Sequence, residues 1–258
     1  MADSKIIVET AGGISRITLS NPAKLNSISA GMLDQLNETL IRLEDDPDLR
    51  LLVLTGEGER AFSSGADVSG FDDPESRARA RCAYEGGAEL ALARLLRFPR
   101  PTVAMIRGYC MGGGVSLAAL CDLRIAEAGA VFSVAAAKLG LGYSYFGTQR
   151  LVSLVGATTA KEMLFTALRY SAEDALRLGL VSRVFPKDSF TEDAEAYLAA
   201  IAVNAPLTIR AAKMAADTPP EDELSPVLAA IAACGESGDF AEGRKAFSEK
   251  RKPVFQGR

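Results

Sequence analysis

The chain has 258 residues, and its 29 Lys and Arg against 33 Asp and Glu give a net charge of −4 with the two signs interspersed. Without a basic block, nucleic acid and anionic membrane surfaces are poor partners. It has no histidine, and its four cysteines form no CxxC pair, which removes Ser–His and Cys–His nucleophiles, zinc centres and disulfide scaffolds. The start, Met-Ala-Asp-Ser-Lys, lacks a signal-peptide pattern, and no apolar run nears the ~18 residues of a membrane span. One soluble, cytoplasmic α/β domain is the expectation.

In chain order, Lys5 to Thr10 and Ile14 to Ser20 read as a hairpin around Ala11-Gly12-Gly13. Ser29 is placed to cap a helix running to about Glu44, with Met32, Leu33, Leu36 and Leu40 as its apolar stripe. Arg50 to Thr55 reads as a buried strand. The following Gly56-Glu-Gly-Glu-Arg-Ala61 nominally fits a dinucleotide fingerprint, but it runs into Ser63, Ser64 and Gly65 instead of opening a helix, so that reading fails. Pro74 to Phe98 has helical composition and stops at Pro99-Arg-Pro101. Thr102 to Ile106 and Asp122 to Glu127 read as strands either side of a helix, an order that points to parallel crossovers. From Gly147 onward the pattern is mostly helical, apart from a strand at Leu180 to Phe185, with Thr218 to Glu223 as a solvated loop.

The apolar run Pro101 to Ile106 leads into Gly108-Tyr-Cys-Met-Gly-Gly-Gly114, which turns through three glycines into the helix-forming run Val115 to Cys121, so the order is strand, glycine turn and helix. Glycine lets a ligand approach the backbone closely, and the first N–H groups of a helix have no intrahelical partner. Those donors, with the positive end of the helix dipole, suit an anion or a carbonyl oxygen gaining negative charge. Tight strand-to-helix packing alone would also account for three glycines. A phosphate site is weaker: Leu117 stands where a dinucleotide fingerprint needs glycine, and no Gly-Lys-Ser/Thr follows for a P-loop.

Phe62-Ser-Ser-Gly-Ala-Asp67 and Gly108 to Gly114 through Cys121-Asp122 together resemble the two signature segments of the crotonase, or enoyl-CoA hydratase/isomerase, family. The resemblance continues in Asn21 to Asn26, Gly147-Thr-Gln-Arg-Leu151, Ser171 to Ala175 with Gly179 to Val181, and Glu249 to Phe255. It implies a crotonase-like spiral of ββα turns over residues 1–190. Helices over 191–258 would serve packing and assembly into a homotrimer or a dimer of trimers. It also implies an acyl-CoA thioester as substrate, with coenzyme A entering only as part of it and no separate cofactor or metal. The matching oxyanion positions are the backbone amides of Ala66 and Gly113. Lys24, Ser64, Asp67 and Val68 match positions near the nucleotide, and Phe247 and Lys250, from an adjacent subunit, its phosphate end.

The family's hydratases carry two glutamates, and the corresponding positions here are Ser116 and Ala136. Hydration needs one proton removed and one delivered, each group contributing about 10²–10⁴-fold. The expectation is therefore an enzyme that polarises a thioester and works through an enolate-like state, as lyase or isomerase, without efficient hydration. The alternative is a non-catalytic acyl-CoA carrier. Tyr143 and Tyr145 are candidate acids or pocket donors, or aromatic packing under a loop. Glu85, on the helix expected to cover the acyl site, is the carboxylate to test, and Asp122 is assigned to structure.

Overall fold

The structure, a computed structural model, describes residues 4–67 and 89–258. Lys5–Ala11 (β1) and Ile14–Ser20 (β2) pair antiparallel, from Lys5 opposite Ser20 to Ala11 opposite Ile14. The Ser29 side chain accepts a hydrogen bond from the Met32 amide and caps the helix Ala30–Glu44 (α1). Met32, Leu33, Leu36 and Leu40 bury one stripe of that helix in the core, each such side chain contributing about 1.5–3 kcal/mol.

Strands then come in pairs. Leu51–Gly56 (β3) is followed by Ala61–Ser63 (β4), Thr102–Ile106 (β5) by Tyr109–Met111 (β6), and Leu123–Glu127 (β7) by Val131–Ser133 (β8). Tyr170–Ser171 (β9) and Arg183–Phe185 (β10) complete the described strands. The first members of the pairs join β1, β2 and β10 in a sheet ordered β1-β2-β3-β5-β7-β10, and the second members join β9 in a smaller one ordered β4-β6-β8-β9. From β2 to β10 the large sheet is parallel, as is β4-β6-β8. Parallel neighbours need long crossovers; the one from β2 to β3 holds α1, each later crossover contains a small-sheet strand, and the helices Glu89–Leu96 (α2), Gly113–Leu120 (α3) and Ala136–Leu139 (α4) follow the three pairs in turn. This is the ββα spiral of the crotonase fold.

The apolar run in β3 reflects burial on both faces. Leu52 and Leu54 enter the interior core, whereas Leu51 and Val53 meet Phe190, Ala194 and Leu198 of the helix Phe190–Ala202. Two faces buried at once leave no polar alternation in such a strand. The remaining helices are Tyr145–Thr166 (α5), kinked at Gly156, Ala172–Arg177 (α6), Phe190–Ala202 (α7), Pro206–Asp217 (α8), Ser225–Glu236 (α9) and Gly238–Ser248 (α10). Among the described residues no helix is long and apolar enough to cross a membrane.

Several boundaries differ from the sequence reading. The small sheet was not anticipated, because three-residue strands are too short to show alternation. The strand expected at Leu180 to Phe185 begins at Arg183, while Leu180 and Val181 are core residues. Of the helix expected over Pro74 to Phe98, only Glu89–Leu96 falls within the described residues.

The C-terminal segment is tied to α10. Arg251 holds both Glu242 oxygens at 2.6 and 2.8 Å, the Val254 amide donates to Glu242 at 2.9 Å, and Gln256 and Gly257 donate to Asp239. The Arg251 contacts first, then the Val254 N–H, hold the Glu242 carboxyl down at about 2. A folded value below the usual one means that this tether is complete above pH about 4.5 and is lost as pH falls through about 2. In an NMR pH titration the Val254 amide shift should therefore move with a midpoint near 2, not 4.5. Glu242→Gln should abolish that transition.

Candidate active site

Two loops, each running out of a small-sheet strand, meet at the start of α3. In the first, β4 ends at Ser63 and the Ser63 hydroxyl accepts the Gly65 N–H at 3.1 Å. The Asn21 to Asn26 segment braces this loop. Buried Asn26, at φ 57°, donates to the Glu57 and Ala61 carbonyls at 2.9 and 2.8 Å. Ser64 donates its N–H to Leu25 O and its hydroxyl to Lys24 O, both at 2.8 Å. The bridge to Ile28 uses Gly65 O at 2.7 Å and Asp67 N–H at 2.9 Å. Ala66 lies between those two bonds, and its own N–H donates to no group among the described residues.

In the second loop, β6 delivers the chain to Gly112, whose N–H donates to Ser133 O at 2.8 Å and whose φ of 49° only glycine adopts comfortably. Gly113 opens α3, a helix whose residues Gly114 to Leu120 are all buried. The Gly113 N–H likewise has no partner among the described residues. A methyl group on Gly113 would stand 3.4 Å from the Ala66 nitrogen, and one on Gly65 would stand 3.3 Å from the Gly113 nitrogen. With standard bond lengths this bounds the two nitrogens to within about 6 Å. Two donors that share one oxygen at about 2.9 Å each meet the same limit.

Behind Gly113 lies a small polar cluster. Tyr143 donates its phenol proton to Gly112 O at 3.1 Å. Burial pushes that phenol well above its ordinary value, with the hydrogen bond to Ser116 opposing and Cys110 adding to the rise. Among the described residues no carboxylate shifts it. Ser116 is buried, and Gly147 packs so closely on its hydroxyl that any side chain at 147 would overlap it. Ala136 opens α4, partly buried against the core. Tyr145, by contrast, is 68% exposed at the start of α5 and rests edge-on against Phe146. The thiols of Cys110 and Cys121 are both buried, which raises Cys121 to about 12 and leaves it protonated at neutral pH.

The other sequence candidates spread more widely. Lys24 Nζ pairs with Asp67 at 2.8 Å on the rim of the first loop. Phe247 is 88% exposed near the end of α10 and is therefore no core residue, and Lys250 follows it just past the helix end at φ 52°. Asp122 has the structural role expected: it ties β5 by accepting the Thr102 N–H at 2.8 Å and pairs with Lys213 at 2.7 Å. Val68 and Glu85 lie outside the described residues. What the sequence reading missed is the brace at Asn26 and the link from Tyr143 to Gly112 O. An Asn in a Leu-Asn-Ser turn was a signal for the first; the second had none.

The chain and its fold have close counterparts. The family model for enoyl-CoA hydratase/isomerase matches residues 9–258. The (E)-benzylidenesuccinyl-CoA hydratase of Thauera aromatica is 34% identical over 256 residues, 98% of this chain and 99% of that one. The short-chain-enoyl-CoA hydratase of Clostridium acetobutylicum is 31% identical over 253 residues, 96% of each chain. Among solved structures, an enoyl-CoA hydratase/carnithine racemase from Magnetospirillum magneticum superposes with a TM-score of 0.91 at 30% identity, covering 98% of this chain and 96% of that one. An enoyl-CoA hydratase from Bacillus anthracis gives a TM-score of 0.88 at 32% identity, covering 98% and 99%. With the family model matched over residues 9–258 and relatives above 30% identity sharing nearly the whole length, this chain belongs to the enoyl-CoA hydratase/isomerase family.

Proposed function

We propose that the protein binds an acyl-CoA thioester with its carbonyl oxygen between the Ala66 and Gly113 amides, and turns it over through an enolate-like intermediate. The observation that carries this reading is the pair of backbone donors, from separate loops, that approach each other with no partner among the described residues. Charge accumulates on the thioester oxygen as the enolate-like state forms, and each fixed donor aimed there is worth about 2.7–4 kcal/mol in the transition state. The positive end of α3 acts in the same direction. Lys24, Ser64, Asp67 and Val68 would flank the nucleotide. Assembly as a trimer would bring an exposed Phe247 and Lys250 to a neighbour's coenzyme A.

Efficient hydration is not part of the proposal, because Ser116 and Ala136 supply neither acid nor base. Tyr143 partly fills the space beside Ser116 instead. A phenol whose pKa is raised stays protonated at neutral pH, so it can donate a proton or hydrogen bond but cannot serve as base. Tyr143→Phe should lower kcat by about 10²-fold with a much smaller change in KM; an unchanged kcat would remove Tyr143 from the chemistry and leave the oxyanion site standing. A panel of enoyl-, β-keto- and malonyl-type CoA esters tests the whole. Turnover of one class, with little hydration of crotonyl-CoA, is expected. Tight binding with no turnover on any ester would favour the carrier reading, which the missing carboxylates support, and failure to bind any ester would end both.

A further inference from the structure

A second cleft, of about 560 Å³, lies between α2, α5 and α8. It sits at the far end of α3 from Gly113: Arg150 in its wall donates to Ala119 O at 3.0 Å, and Lys213 pairs with Asp122 at 2.7 Å. The eight residues of α3 separate the two places by about 12 Å. Its size is that of a small-molecule site, about 300–1,000 Å³.

Charge in this cleft is out of balance. Among the described residues its lining carries four cations, Arg97, Arg150, Arg210 and Lys213, against one carboxylate, Asp217. Arg150 and Lys213 are engaged by the contacts just given, whereas the guanidinium groups of Arg97 and Arg210 have no hydrogen bond or ion pair among the described residues. The Arg210 charge is also felt next door: after burial, it is the main influence lowering Arg100, with Asp46 opposing. Asp217 offers weak compensation, since burial and then Asp122 push its carboxyl upward against the pull of Lys213 and Arg150. Between the cations the surface is apolar, provided by half-buried Leu96, Phe146 and Met214.

We propose that this cleft is a binding site for an amphipathic organic anion, separate from the thioester site and independent of the reading given for it. The head is a carboxylate or phosphate held by the planar forks of Arg97 and Arg210, which match such oxyanions bidentately. The body is apolar and rests on Leu96, Phe146 and Met214. Neither a bare inorganic ion nor a neutral alcohol satisfies both halves of the lining.

The chain contains no tryptophan, so Met214→Trp places a single reporter in the cleft. Titration with octanoate and with octyl phosphate should give a saturable fluorescence change for at least one of them, and the tighter of the two identifies the head group. Calorimetry on the unmodified protein gives the same affinity without relying on the reporter. Arg97→Gln with Arg210→Gln, both exposed positions, should weaken binding by about tenfold or more, while the paired Lys replacements should retain most of it. Equal affinity in the Gln pair, binding of octanol or inorganic phosphate as tight as octanoate, or no saturable signal by either method would each overturn the proposal.

Discussion

Gly113→Pro is expected to reduce kcat on the acyl-CoA ester by about 10²–10³-fold while leaving the affinity for coenzyme A nearly unchanged. Proline removes the N–H at issue, and its ring sets a Cβ 3.4 Å from the Ala66 nitrogen, the same position an alanine methyl takes. Gly113 is the first residue of α3, where an N–H has no intrahelical partner and where the ring's fixed φ fits the helix. Gly112, the residue before it, has ψ −114°, outside the α region that a following proline disfavours. The lost interaction is made to charge that exists only after the thioester is activated, so the effect falls on kcat. Gly113→Ala is the control: it adds the same Cβ, at an ordinary contact distance of 3.4 Å from the Ala66 nitrogen, and keeps the donor, so its loss of kcat should be far smaller. Steady-state kinetics on the best ester of the panel, with a coenzyme A titration alongside, decides the matter. A proline variant with wild-type kcat would mean that this amide does not face the reacting oxygen.

The other large effect is on the frame that holds the two loops together. Gly108 sits at φ 56°, and a methyl group there would stand 2.5 Å from the Arg60 carbonyl carbon and 3.0 Å from Glu59 O. Backbone cannot swing aside as a side-chain tip can. Left-handed strain in alanine costs about 1–2 kcal/mol, and overpacking about 1–3 more. For a chain of this size Gly108→Ala should lower Tm by about 5–15 °C. Gly140→Ala is the matched control: its φ is 65°, but nothing lies within 4 Å of the added methyl, so only the strain applies. Equal losses of Tm for the two variants would mean that contact with Arg60 is unimportant. Acyl-CoA binding should fall with stability in Gly108→Ala, because Ala61 bridges to Gly108 and Tyr109 N–H donates to Arg60 O at 3.1 Å. Those contacts open the pairing of β4 with β6, the strands that lead into the two site loops.

Much of this protein was legible in its sequence because the signals are local. Ser29 before a 3.6-residue apolar stripe states where α1 begins, and the two-sided apolar run at Leu51 to Leu54 marks a strand buried on both faces. The glycine turn at 112 to 114 announces unpaired helix-start donors, and the order of the motifs gives the family. None of that required knowing what touches what. Tertiary structure decided the rest. Ala66 and Gly113 come together only because β4 and β6 pair in parallel, a contact between distant segments that three-residue strands cannot advertise. Tyr143 and Tyr145 stand two residues apart with the same chemistry, yet one is hydrogen-bonded to Gly112 O and the other is 68% exposed, because Gly147 lets α5 close on α3 over the first and not the second. Composition and periodicity report how a residue relates to its own helix or strand. Which groups from different elements share a site depends on how those elements pack, and that is set by the shape of the whole core.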